Sequence, residues 1–235
     1  MSASDSGLET SRLGGTGGLD EVGRYRHGRV PRPVRERQIL GLAEELFSER
    51  GYTGASMDEL ARRAGVSKPL IYELFESKEG LHRRLIERAA DELAACVAAA
   101  TASEHDPMAT FRAGAVAFFH FIDGHRAAWA MLYADEGGAP HTTHLNDIRA
   151  RQNAMVIALL RDRAERQGRQ IDARRLEAAV HAVNGAFEWL AHWWRVNPGV
   201  PAETLADWLM ELVYPGLARL LGDEGSGLGE TSFEL

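Results

Sequence analysis

The stretch Ser56–Gly80, SMDELARRAGVSKPLIYELFESKEG, decides the reading of the whole chain. It contains two short helical patterns joined by a tight turn, with a third starting at once. Ser56 is placed to cap the first helix, and Glu59, three residues on, is placed to reach back and close a capping box. Leu60, Ala61 and Ala64 give that helix one apolar side. Gly65 suits the left-handed residue that ends a helix. Ser67 is a candidate cap for the second helix, and Pro69 falls in its first turn, where a missing N–H costs nothing. Leu70, Ile71, Leu74 and Phe75 supply its apolar content, and Ser77 is a candidate cap for the third. Helices of about seven residues joined so closely must cross steeply, which is the helix-turn-helix arrangement. The second then presents Lys68, Pro69 and Leu70 from its N-terminal end.

Outward from this stretch, Ile39, Leu42, Ala43, Leu46 and Phe47 recur at spacings of three and four and predict a covering helix over 34–50, ended by Gly51. A long helix from Ser77 toward Ala100 starts charged and becomes an alanine tract. Five further helices are predicted over 106–122, 125–134, 142–167, 172–196 and 202–221, separated by Gly and Pro signals, with Pro215 expected to kink the last. No strand pattern or internal repeat occurs, so the expected fold is all-α: a three-helix headpiece followed by a helical bundle. The expected domains are a disordered basic arm (1–33), the headpiece (34–80), the helical body (81–221) and a flexible tail (222–235).

The net charge of −7 argues at first against a nucleic-acid partner. Its distribution reverses that. Residues 1–88 carry 15 basic and 14 acidic side chains, whereas residues 89–235 carry 12 and 20. Six arginines and a single acid lie within 24–37. A protein touching DNA at one end has this pattern. Of 27 basic residues only Lys68 and Lys78 are lysines, both in the helix-turn-helix region; either chance or a need for a compact ammonium accounts for this. No run is long enough for a membrane span and nothing looks like a signal peptide, so a cytoplasmic location is expected. The lone Cys96 reads as a small buried residue. No metal-ligand spacing, nucleophile motif or phosphate loop is present, so neither cofactor, metal nor enzymatic activity is expected.

The run Gly51-Tyr52, Ser56, Leu60-Ala61, Ala64-Gly65-Val66-Ser67, Leu70 to Tyr72, Phe75, Ser77-Lys78-Glu79 and Leu81 resembles the DNA-binding domain of the TetR family of transcriptional regulators. The resemblance is dense over residues 35–88; beyond them it extends only to length and helical pattern. It implies a homodimeric regulator, most simply a repressor, on a near-palindromic operator. It places Lys68, Pro69, Leu70 and Leu74 toward base edges, and Ser56, Ser67, Tyr72 and Lys78 toward phosphates, although Tyr72 also reads as a core tyrosine. Leu74 and Glu73 depart from the residues common in the family at their positions. The resemblance also implies a small-molecule effector whose binding moves the long helix after the headpiece.

Aromatic residues cluster in the body. A pocket for a small, largely apolar ligand is expected among Phe118, Phe121, Trp129, Tyr133, Met155, Trp189 and Trp193, with Asn184 and Glu188 as polar contacts; core packing is the plainer account of the same aromatics. Two polar groups one turn apart on a tryptophan-rich helix need partners, water or a ligand, and a ligand facing Glu188 would carry a donor. Leu176, Val180, Val183 and Phe187 on one helix, and Leu205, Leu209, Leu212 and Val213 on the next, form the expected dimer interface, or else pack within the chain. A ligand-independent architectural or protein-binding role on the same body is the alternative function.

Overall fold

A computed structural model describes residues 25, 30–125, 141–166 and 168–222. Among them are eight helices and no strand: α1 (Arg32–Gly54), α2 (Met57–Ala64), α3 (Lys68–Phe75), α4 (Lys78–Thr101), α5 (Pro107–Gly124), α6 (His141–Arg166), α7 (Ala173–Val196) and α8 (Ala202–Leu221). The helix expected over 125–134, the arm and the tail lie almost wholly outside the described residues. Two compact units meet in sequence at Arg88 and Ala89, so α4 begins in one and ends in the other.

The first unit encloses its own core. Ile39, Leu42, Ala43, Leu46 and Phe47 of α1 meet Leu60, Ala61 and Ala64 of α2, Ile71 and Phe75 of α3, and Leu81 and Leu85 of α4. α1 is interrupted at Gly51, whose backbone leaves the helical region before one further turn to Gly54. Gly65 ends α2 in the left-handed conformation (φ 62°), which glycine adopts at no steric cost. The capping box does not form. Ser56 Oγ accepts from the Asp58 N–H at 3.2 Å, but Glu59 turns to Arg62 and Arg63. Two guanidiniums on the next turn outcompete one backbone N–H, because charge-assisted bonds are the stronger.

The α3–α4 corner is tighter than the sequence suggests. Glu76 has φ 66° and ψ −48°, and the Ser77 N–H donates to the Phe75 carbonyl at 2.7 Å, a strained three-residue turn. Ser77 Oγ then caps α4 by accepting from the Gly80 N–H at 3.0 Å. A Cβ at Gly80 would lie 2.0 Å from the Phe75 carbonyl oxygen, so only glycine lets α4 begin so close to the end of α3.

In the second unit, α5 packs mainly on α8, and α7 on both α6 and α8. α8 runs as one helix through Pro215. Asp106 and Asp172 cap α5 and α7, accepting from the N–H groups of Ala109 and Arg175, each at 2.8 Å. Rings of Phe111, Phe118 and Phe119 on α5 pack against Phe187 on α7, with centroids 5.0 to 5.9 Å apart. Cys96, expected to be buried, is exposed on α4. No described helix is long and apolar enough to cross a membrane.

Candidate DNA interface and body site

α3 shows what the first unit offers to a partner. Ile71 and Phe75, four apart, are buried. Pro69, Tyr72, Glu73 and Glu76 therefore fall on the exposed side. Tyr72 is 39% exposed, which places it on the surface rather than in the core. Leu70 is half-buried. Leu74 was expected at base edges but packs against the headpiece core, because its position on the 3.6-residue period brings it round beside Ile71. Glu73 stands exposed where the sequence reading had placed Leu74; its helical phase relative to Ile71 and Phe75 was the available signal.

Ser56 and Ser67 are exposed at the N-termini of α2 and α3, and Ser67 makes no capping bond with its side chain. Hydroxyls beside free helix N–H groups suit phosphate oxygens. Lys68 Nζ lies 2.9 Å from Asp58 Oδ2, across the turn from α3 to α2. The hydrogen bond to that carboxylate raises the Lys68 ammonium above its ordinary range.

Lys78, expected at a phosphate, is engaged within the unit. Its ammonium donates to the Ala55 carbonyl at 2.7 Å and the Thr53 carbonyl at 3.4 Å, and sits 4.6 Å from the Tyr52 ring centroid. These carbonyls end the turn after Gly51, so the side chain ties the start of α4 to the end of α1. An ammonium suits this seat because it donates in three directions from a compact head. On α2, Arg63 bridges Glu59 at 2.9 Å and Glu49 of α1 at 2.7 Å. Arg62, and after it Arg63, hold the Glu59 carboxyl down at about 2.

In the second unit the described residues of the expected pocket do not converge on one cavity. Phe118 is in the aromatic seam with Phe119 and Phe187. Phe121 is buried and stacks on His125, with centroids 4.1 Å apart. Asn184 and Glu188 face α6, where they find protein partners: Asn184 donates to Asn153, and Arg149 donates to Glu188 at 2.8 Å. Asn153, itself buried, also lies 3.2 Å from His181 Nδ1. The donor expected from a ligand at Glu188 is thus supplied by Arg149. Met155, Trp189 and Trp193 are exposed, Trp189 at 73%. Trp129 and Tyr133 lie outside the described residues.

The expected interface residues divide as well. Leu176, Val180, Leu205 and Leu209 are buried by their own chain, and Phe187 fills the aromatic seam. Packing within the chain among α5, α6, α7 and α8 has taken them. Val183 and Val213 instead line a shallow apolar groove of about 260 Å³ with Ala179, Ala182, Gly216 and Leu217, and Leu212 is 81% exposed.

A helix-turn-helix unit with its reading helix on the surface, followed by an all-helical unit with exposed apolar side chains, defines a class of DNA-binding regulators. The family model for bacterial regulatory proteins of the tetR family matches residues 39–85, and the model for the tetracyclin repressor-like C-terminal domain matches residues 107–216. The chain belongs to the TetR family of transcriptional regulators. It is 39% identical over 114 residues to the transcriptional activator FasR of Mycolicibacterium smegmatis, a match covering 48% of this chain and 52%, about half, of that relative. It is 27% identical over 206 residues to the transcriptional regulator EthR of Mycobacterium tuberculosis, covering 84% and 94% of the two chains. A solved TetR-like transcriptional regulator from Rhodococcus sp. RHA1 superposes with a TM-score of 0.62 at 29% identity, over 81% of this chain and 99% of that one.

Proposed function

We propose that this regulator binds a near-palindromic operator as a homodimer, represses from it, and is released by a small, largely apolar effector bound in the helical body. The exposed face of α3 carries the reading: Pro69 and Tyr72 stand clear of a closed core, and Lys68 lies at the N-terminal end of that helix. The groove of Val183 and Val213, with Leu212 beside it in sequence, supports a symmetric pairing through α7 and α8. An apolar effector is favoured because Asn184 and Glu188 already have protein partners, which leaves aromatic surface as the main attraction. The headpiece and body share α4, so an effector that binds two body conformations unequally shifts the population competent for DNA. Repression has support from the transcriptional repressor KstR2 of Rhodococcus jostii, 25% identical over 188 residues, although FasR is named an activator.

Selection from a randomised duplex library with the purified chain tests the core of this reading. The expected product is an inverted repeat with half-sites separated by about one helical turn or a multiple of it. A single half-site, or no enrichment, overturns it. Titrating the bound duplex with fatty acids, neutral aromatics and aromatic cations then tests release. Apolar compounds are expected to free the DNA while changing tryptophan fluorescence on the same curve.

A further inference from the structure

We propose that Asp58 is a specificity-determining residue of the DNA interface: its carboxylate holds the Lys68 ammonium where a neutral base edge is accepted and a phosphate is repelled. The proposal rests on the DNA-binding reading above and goes beyond it, because Asp58 acts through Lys68.

The geometry is simple. Asp58 is the second residue of α2, and Lys68 is the first of α3. Their ion pair, at 2.9 Å, spans the turn between the two helices of the motif. The backbone at Asp58 is fixed by the helix cap, since its N–H donates to Ser56 Oγ at 3.2 Å. The rest of α3 adds no cation: Glu73 is its other charged side chain, Glu76 follows at its C-terminal cap, and both are exposed.

An unpaired lysine at this point would settle on any phosphate within reach, and phosphates are the same in every sequence. Beside Asp58, a phosphate oxygen would bring a second anion next to the carboxylate, and like charges at that distance repel. A guanine edge brings no charge. Its O6 and N7 accept hydrogen bonds, and an ammonium has three hydrogens to give. One stays on Asp58 while the other two reach the base. The carboxylate therefore weakens the sequence-blind use of Lys68 and leaves the sequence-reading use intact.

The experiment compares full-length chains on two probes: a duplex that the unaltered protein selects from a randomised library, and a scrambled duplex of the same length and composition. Affinities are measured across a potassium chloride series. Asp58→Asn is expected to steepen the salt slope on the scrambled duplex by about 0.9, the signature of one added phosphate contact. The ratio of selected to scrambled affinity is expected to fall by roughly five- to 150-fold, the discrimination carried by one base contact. Asp58→Glu, which keeps the charge, is expected to retain the parent slope and so separates the ion pair from any effect on α2 stability. In a Lys68→Ala background, Asp58→Asn is expected to leave the slope unchanged. A slope that steepens without Lys68 means plain loss of a negative charge, and overturns the proposal. So does an Asp58→Asn chain that binds both duplexes as the parent does, or loses affinity equally for both. If the parent protein enriches no duplex at all, the DNA-binding reading itself fails, and this assignment falls with it.

Discussion

The two units treat apolar side chains differently. In the first, the large apolar residues of α1, α2 and α3 close on one another, and Tyr72 is the largest left on its surface among residues 30–88. In the second, Leu212 is 81% exposed, Trp189 73%, Leu159 61% and Met155 57%. A small unit that must meet a charged, hydrated partner finishes its core alone. A unit that exposes leucine and tryptophan on adjacent helices has surface suited to a second protein copy or a ligand. The difference also shows in the glycines. Gly80 is wedged against a backbone carbonyl, whereas Gly185 on α7 has nothing within 4 Å of the position a Cβ would take.

The largest expected effect tests the open surface. Leu212→Arg changes a side chain that its own chain leaves exposed, so helicity and melting should stay near the parent's. The proposed dimer should weaken by about 2–4 kcal/mol, the range of a central interface residue, seen as monomers in sedimentation equilibrium at low micromolar concentration. Unchanged dimers would place the interface elsewhere. The next effect tests the closed core. Gly80→Ala should cost about 1–3 kcal/mol, as overpacking does, read as a lower midpoint in urea. Gly185→Ala should do the reverse and gain roughly 0.5–1 kcal/mol, because alanine favours the helix and nothing obstructs it.

The smallest effect is one of pH. Arg62 and Arg63 depress the Glu59 carboxyl to about 2 from its ordinary 4.5. A carboxyl lowered on folding adds stability that is fully present above pH 4.5 and is lost as pH falls toward 2. Glu59 is partly open to solvent, which screens much of this contribution. Glu59→Gln should melt slightly below the parent at neutral pH and converge with it toward pH 2, so that its acid limb is flatter in that window. A parallel acid limb in both chains would assign the loss to other carboxylates.

The helix-turn-helix was legible because its signals are local. Ser56, Gly65, Pro69 and Ser77 act within a few residues of themselves, and the structure keeps the helix limits they mark. What the sequence concealed depends on distant partners. Lys78 looks like any exposed cation until the carbonyls of Thr53 and Ala55 arrive from the other end of the headpiece. Asn184 and Glu188 were correctly seen to need partners, but Asn153 and Arg149 lie 31 and 39 residues away on a different helix. α7 and α8 are apolar on more than one side, and periodicity reports a face without saying what covers it. That is why Leu176 and Leu212 looked alike in the sequence and have opposite exposures in the fold.

The seat of Lys78 has a practical consequence for chemical labelling. The chain has two lysines, and one of them is held by two carbonyls and an aromatic ring. An amine-reactive reagent therefore meets Lys68, at the end of the reading helix, as the less restrained of the two side-chain targets, slowed by its ion pair with Asp58. Its acylation rate, followed by mass spectrometry against the α-amino group as an internal reference, becomes a footprint of a single position. That rate should drop when DNA covers α3, and a rise on adding a compound would report the proposed release. Arginine's dominance elsewhere makes the reporter specific without any engineering of the protein.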